Sequence, residues 1–273
     1  MKYDPIKKSL GKVFNKNPFL RKIFYKLLDL LLLRAWFVKK ELKIWSKNKS
    51  ENLNILDAGA GFGQYTYFIS TLNKKYNIKA VDVKHEQIED CNKFFAKINK
   101  SDKIKFEYAD LTQFKEDNKF DLILSVDVME HIVEDVAVFR NFYNSMKTDA
   151  MLLISTPSDK AEDHHDHSEE EGDEHFFVEE HVREGYKIED IIEKLKSVGF
   201  SKVEAKYSYG KPGTISWILS MKIPIIVLNF SKLFFILLPF YYLIVYPWAF
   251  VLNFFDLIGY HKSGRGLVVK AWK

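Results

Sequence analysis

At 273 residues the chain has room for one α/β domain with an appendage and is too short for two full-sized domains. Its single cysteine, Cys91, excludes an intramolecular disulfide, and no N-terminal stretch joins an apolar core to a small-residue cleavage site, so a reducing, cytoplasmic setting is expected. The net charge of +4 is unevenly spread: residues 1–49 carry fourteen Lys and Arg against Asp4, Asp29 and Glu41, a basic head on an acidic body.

The head, residues 1–49, opens on a helix signal. Asn17 is a good N-cap and Pro18 a good first helical residue. The string that follows sets Leu20, Phe24, Leu27, Leu31, Ala35, Val38, Leu42 and Trp45 three or four apart. This predicts a basic amphipathic helix of up to thirty residues, with Arg21, Lys22, Lys26, Lys39, Lys40 and Lys43 mostly off its apolar stripe. Two uses are open to it: packing on the body of the protein, or lying on an anionic membrane surface. Different parts of the helix are free to do each.

From residue 50 to 214, and again from 259 to 273, short β-rich runs alternate with amphipathic segments. Ile55 to Leu56, Ala80 to Val83 apart from Asp82, Leu122 to Val126 apart from Ser125, and Leu152 to Ile154 are apolar on successive residues, the pattern of strands covered on both faces. The expected fold class is α/β, a doubly wound, mostly parallel, Rossmann-like sheet. Cys91 falls in a predicted helix, "EQIEDCNKFFAKIN", where a lone thiol is a packing residue. Beyond the fifth strand come an acidic loop with histidines (158–185), a helix ending near Gly199, the strand "SKVEAKYSYG", an apolar insertion (215–258) and a last strand, "GLVVKAW".

The string "ILDAGAGFGQYT" carries the first chemistry. A buried strand delivers Asp57, then Gly59, Gly61 and Gly63 at alternate positions ahead of a helix. Without Cβ atoms the backbone turns tightly and lets a nucleotide-like group approach. A dinucleotide fingerprint requires a third glycine where Gln64 stands, and the carboxylate of Asp57 is unsuited to a pyrophosphate. An NAD(P)-dependent oxidoreductase is the competing enzyme reading, disfavoured on both counts.

On these residues the chain resembles the class I S-adenosylmethionine-dependent methyltransferases, in the branch acting on small molecules and lipids, similar to those of quinone biosynthesis. Residues 53–157 follow that family's motifs in order, and the resemblance implies seven strands with S-adenosylmethionine as cofactor. It further implies that Asp82, closing the second strand, accepts from the ribose hydroxyls. Asp110, closing the third, meets the adenine amino group, with Leu111 giving backbone and apolar contact. "SVDVMEHI", with Val126 and Asp127, passes under the methionine moiety and leads to the substrate side. His131 follows that strand as either a general base or a backbone hydrogen-bonding group. The resemblance also implies substrate-side residues between the fifth strand and the next helix: His181 as a second candidate base and Arg183 as an anchor for an anionic or carbonyl group. Arg183 paired with Glu179, Glu180 or Glu184 is the alternative.

Five of the eight histidines lie between 159 and 186, but no spacing resembles a rigid ligand set, so a solvated acidic loop and no metal are expected. The stretch 233–255 runs twenty-three residues without a charge, long enough to cross a bilayer. A single crossing is excluded if the last two strands pair as an antiparallel hairpin, as the resemblance implies. Lys222, Asn229 and Lys232 interrupt the insertion and Pro224, Pro239 and Pro247 break helices, predicting short helices embedded in one leaflet or a cap over the pocket. Membrane contact beside the site points to an apolar or lipid-like acceptor, methylated on a hydroxyl or, second, on carbon. A noncatalytic membrane-bound adaptor is the non-enzymatic alternative. Nucleic acid is not an expected partner, since "SVDVMEH" lacks the Asn/Asp-Pro-Pro-aromatic signature. The residues carry no signal for oligomeric state.

Overall fold

The computed structural model describes residues 17–47, 49, 51–161, 182–231 and 235–273. Seven strands form one sheet: β1 (Asn54–Ala58), β2 (Asn77–Asp82), β3 (Ile104–Tyr108), β4 (Phe120–Val126), β5 (Met146–Pro157), β6 (Lys202–Ser208) and β7 (Gly266–Trp272). Their order is β3-β2-β1-β4-β5-β7-β6. All neighbours are parallel except β7, which is antiparallel to both β5 and β6. The central strands are apolar on both faces because helices cover both, as their uninterrupted Val/Ile/Leu runs predict. Order reverses beside β1, so the carboxyl ends of β1 and β4 flank the crevice where ligands bind in such sheets.

One face is covered by α1 (Pro18–Leu31), α2 (Leu33–Ser46), α3 (Gln64–Leu72) and α4 (His85–Lys97). The other is covered by α5 (Asp135–Ser145) and α6 (Ile188–Ser197), through Phe139, Phe142, Ile191 and Leu195. The predicted single N-terminal helix is two helices, because Leu32 is extended (φ −94°, ψ 107°). In α2 the predicted stripe is inside: Ala35, Val38 and Leu42 are fully buried, worth about 1.5–3 kcal/mol each for the larger two. In α1 the face is turned. Arg21 and Tyr25 are buried, while Leu27 and Leu30 are exposed.

A polar network accounts for that rotation. Arg21 Nε donates to Tyr25 Oη (2.8 Å), and its Nη atoms donate to the carbonyls of Asp90 (3.1 Å) and Phe62 (2.9 Å) and to Cys91 Sγ (3.0 Å). Tyr25 Oη donates to the same Phe62 carbonyl (2.5 Å). Burying a guanidinium is tolerable only with such full pairing. Burial pushes the Cys91 thiol up to about 12, so it is a packing group rather than a nucleophile.

The insertion leaves the sheet after β6 as α7 (Lys211–Trp217), runs through a π-helical turn (Ile218–Lys222) into α8 (Ile223–Phe230), and returns as α9 (Leu238–Ile258). The expectation of short helices is corrected here: Pro239 sits in a first turn, Pro247 is accommodated inside a continuous 21-residue helix, and Pro224 directly follows the π-helical turn of the other arm, so the insertion is a hairpin of two long arms. Tyr241 and Tyr242 donate to the carbonyls of Leu219 (2.6 Å) and Ser220 (2.8 Å), Ser216 to that of Ala249 (3.1 Å), and the amide of Gly213 to Asp256 (2.8 Å). The spans Lys211–Asn229 and Leu238–Ile258 are each long and apolar enough to cross a membrane.

Candidate active site

Every glycine of the turn after β1 has positive φ: 79° at Gly59, 50° at Gly61 and 74° at Gly63. A Cβ at Gly59 would lie 2.2 Å from Val128 Cγ2, and one at Gly63 would lie 2.9 Å from Phe106 Cζ, so two of the three positions exclude side chains sterically as well. The turn is fastened to β2 by the Gly59 and Ala60 amides, which both donate to the Val81 carbonyl at 2.9 Å.

Asp57 is buried beneath this turn and accepts from Thr66 Oγ1 (2.5 Å) on α3. Burial outweighs that bond and, with Asp82 nearby, pushes its carboxyl up to about 6. Asp57 thus braces the turn from within. Asp82 stands at the strand end, where Oδ2 accepts from the Gly61 amide (2.8 Å) and Oδ1 from the Lys84 amide (2.9 Å). A carboxylate has about four acceptor sites, so two remain for a pair of hydroxyls. Asp110 is exposed, and its Oδ1 takes the Thr112 amide (2.9 Å) and hydroxyl (2.8 Å), leaving Oδ2 open. Leu111 beside it is buried, its carbonyl held by Asn141 (2.9 Å). These residues, on three adjacent strand ends, fit a nucleoside with vicinal hydroxyls and an exocyclic amine.

Beyond Val126, Asp127 adopts the left-handed region (φ 52°), unusual for a non-glycine residue, with its amide held by the Ser155 carbonyl (2.8 Å). Its carboxylate pairs with Arg34 from the first turn of α2. The Arg34 amide donates to Tyr209 Oη (3.1 Å), and Tyr209, just past β6, is also left-handed (φ 54°). Tyr65 lies within electrostatic reach of Arg34, Asp127 and Tyr209, and its hydroxyl is buried without a partner among the described residues. Glu130 is buried too, accepting from Thr156 Oγ1 (3.0 Å), and burial reinforced by Asp127 pushes its carboxyl up to about 8. Arg34, Tyr65, Glu130 and Tyr209 are absent from the sequence-derived site. Only Arg34 gave a signal, as the one charge inside "LLLLRAWF".

His131 ends a short 3-10 turn (Met129–His131) and is half-buried. Arg183 reaches that turn: it pairs with Asp135 and donates to the carbonyls of Ile132 (2.6 Å) and Val133 (3.1 Å), while its plane lies over Tyr186 (4.9 Å). Among the described residues Arg183 pairs with Asp135, and of the alternative partners Glu179 and Glu180 lie outside the described residues. Asp135 also accepts from Tyr186 (2.8 Å) and Lys194 (2.9 Å); these charged and hydroxyl partners outweigh burial and hold its carboxyl below the usual range. His181 and the histidine-rich loop lie outside the described residues. Among the described residues, no three His, Cys, Asp or Glu side chains are grouped to hold a metal. A cleft lined by Glu41, Trp45, Lys270 and Trp272 lies at the opposite, amino edge of the sheet, away from the glycine turn.

A family described as methyltransferase domain matches residues 49–197, more than half of the chain. The ubiquinone biosynthesis O-methyltransferase of Pelagibacter ubique is 30% identical over 118 residues, 43% of this chain and 48% of that protein. Phosphoethanolamine N-methyltransferase 1 of Arabidopsis thaliana is 28% identical over 170 residues, 58% of this chain and 31% of that protein. The chain thus spans about half or less of these relatives' lengths. Among solved structures, Haemonchus contortus phosphoethanolamine N-methyltransferase 2, in complex with phosphomonomethylethanolamine and S-adenosylhomocysteine, is similar with a TM-score of 0.58 at 17% identity, covering 88% of this chain and 53% of that one. The 4+2 cyclase SpnF has a TM-score of 0.55 at 15% identity, covering 86% and 80%. At such identities the structural likeness concerns the fold alone. The domain match, the strand order and the glycine turn facing Asp82 agree: the chain belongs to the class I S-adenosylmethionine-dependent methyltransferases.

Proposed function

We propose that the protein methylates a hydroxyl, or second a carbon, of an apolar, lipid-like acceptor while resting on the inner, cytoplasmic face of a membrane. One observation carries this reading. The strand edge that holds Asp82 and Asp127 also holds the root of the apolar hairpin, since Tyr209, two residues before α7, meets the amide of Arg34, whose side chain pairs with Asp127. A relative named for ubiquinone biosynthesis is consistent with an apolar acceptor.

S-adenosylmethionine supplies a sulfonium methyl whose transfer disperses positive charge. The chain's own task is therefore alignment and exclusion of water, an effect that reaches about 7–11 kcal/mol in favourable cases. In this reading Asp82 grips the ribose hydroxyls, Asp110 and Leu111 the adenine, and Val126 and Asp127 line the methionine side. Asp57 and the three glycines shape the turn. His131 and His181 are the proposed bases for a hydroxyl proton. Arg183 is proposed to act on the substrate side by fixing the turn that ends in His131.

Incubation of the full chain with methyl-labelled S-adenosylmethionine and a membrane lipid extract tests the proposal. Label should appear in a lipid-soluble product. Label confined to the aqueous fraction, with S-adenosylhomocysteine still bound, overturns the lipid acceptor while leaving the cofactor site intact.

A further inference from the structure

The membrane contact proposed above leaves orientation open, and the hairpin has two unlike faces. On α9, Phe240, Ile244, Trp248, Val251, Phe255 and Ile258 are exposed, three or four residues apart, along the whole helix, with Leu243 and Phe254 exposed beside them. At 1.5 Å per residue this row is about 27 Å long. The opposite side of α9 is turned to protein: Ala249, Asn253 and Asp256 are buried, and Tyr246 donates to the Leu30 carbonyl (3.2 Å). The outward face of α7 and α8 differs. There Lys211, Ile215, Ile218, Lys222, Ile226 and Asn229 are exposed, mixing charge with apolar groups.

Lys222 decides between spanning and lying flat. It sits midway along its arm and is exposed, so a crossing hairpin would carry an ammonium near the bilayer centre, where a charged side chain is strongly disfavoured. With α9 in the membrane plane, its row enters the acyl region while Lys222 on the other arm stays at headgroup level or in water. The α1 helix adjoins through Leu30, and its outward side carries Phe19, Lys26, Leu27 and Leu30, with Lys22 half-buried among them. Trp36 on α2 packs against Phe250 (4.9 Å), tying the head to α9 a second time.

We infer that α1 and α9 form one docking face for a leaflet bearing anionic headgroups, with α9 lying along the membrane rather than across it. The inference rests on the membrane part of the proposed function and not on the methyl-transfer part. The apolar row supplies burial, and Lys22 and Lys26 supply attraction to negative lipid.

The test uses the full chain with phosphatidylcholine vesicles, with and without phosphatidylglycerol. Binding should strengthen with the anionic lipid and weaken with salt. Leu243→Asp with Ile244→Asp should reduce partitioning by at least roughly 100-fold, and Lys22→Glu with Lys26→Glu by about fivefold per cation, only on anionic vesicles. Brominated lipids read orientation: Trp248, midway along α9, should be quenched more by bromines near the headgroup than by bromines at the chain ends, and Trp248→Phe should abolish that component. Stronger quenching from the chain ends overturns the flat orientation. Unchanged vesicle binding by both double variants, each still binding S-adenosylhomocysteine, overturns the docking face. Failure of the parent chain to bind S-adenosylhomocysteine sinks the methyltransferase reading instead, whatever the vesicles do.

Discussion

The guanidinium of Arg34 pairs with the carboxylate of Asp127, joining the start of α2 to the residue that follows β4. Asp127 holds a left-handed backbone to present that carboxylate, a conformation that persists only when its surroundings fix it. Side chains here are 39% and 28% exposed, so solvent screening limits the pair to roughly 1 kcal/mol. Arg34→Met and Asp127→Asn should each weaken S-adenosylhomocysteine binding by about fivefold or more, and the double variant should lose less than the product of the two. Calorimetric titration of the four proteins measures the coupling; strictly multiplicative losses would show that the two side chains act apart.

Asp82 and His131 occupy different sides of the proposed reaction and should separate in measurement. Asp82→Ala removes the acceptor of both the Gly61 and Lys84 amides along with the proposed ribose contact, so S-adenosylhomocysteine affinity should fall roughly 100-fold or more. His131→Asn should spare binding and lower turnover with a hydroxyl acceptor by about 10²- to 10⁴-fold if it is the base. Turnover at the parent rate transfers that role to His181.

The glycines make a graded steric test. All three have positive φ, but a Cβ at Gly61 meets only Gln87 Oε1 at 3.8 Å, whereas one at Gly59 collides with Val128. Gly61→Ala should therefore cost about 1 kcal/mol of stability from backbone strain alone, and Gly59→Ala several times more. Urea unfolding of the two variants gives the comparison, and equal losses would remove Val128 from the account.

The sheet and the glycine turn were legible because period and spacing are local properties of the chain. The rotation of α1 was not: its stripe satisfies the apolar period, yet Arg21 and Tyr25 face inward because the Phe62 and Asp90 carbonyls, forty-one and sixty-nine residues away for Arg21, provide partners no window of sequence contains. The break at Leu32 was equally hidden, since leucine is a good helix former and only tertiary packing holds it extended. The expectation of short helices failed because a proline's cost depends on where in the helix it falls; Pro239 fell in a first turn, where the missing amide is harmless, and Pro224 follows a π-helical turn that relaxes the backbone ahead of it. Tyr65, Glu130 and Tyr209 gather around Arg34 only once the fold brings α2, α3 and the ends of β4 and β6 together.

Tyr65 offers a cleaner probe of that convergence. Its hydroxyl is buried with no hydrogen-bond partner among the described residues, which costs about 1–3 kcal/mol unless a ligand supplies one. Tyr65→Phe should leave the unliganded protein as stable or more stable, and should weaken either S-adenosylhomocysteine or acceptor binding. Thermal unfolding with and without S-adenosylhomocysteine, combined with KM for the acceptor, reads both. A variant that loses stability without ligand and keeps both affinities would assign the hydroxyl to the fold.

Asp57 and Glu130 make stability depend on pH in an uncommon direction. An unfolded chain titrates both near the usual carboxylate value of about 4. Burial raises Asp57 to about 6 and Glu130 to about 8, so between these limits the folded protein keeps protons that the unfolded chain has released. Stability from these groups therefore falls as pH rises from about 4 to about 8, Asp57 acting below about 6 and Glu130 over the whole range. Asp135, held below the usual range by Lys194, Tyr186 and Arg183 despite its burial, acts oppositely: its contribution is present above about 4 and is lost as pH falls through its folded value. Glu130→Gln is neutral throughout and keeps an oxygen for Thr156, so it should flatten the decline between about pH 6 and about pH 8, where Asp57 no longer contributes. Urea midpoints of both proteins across that interval decide the matter: parallel slopes would show that Glu130 is ionised in the folded protein.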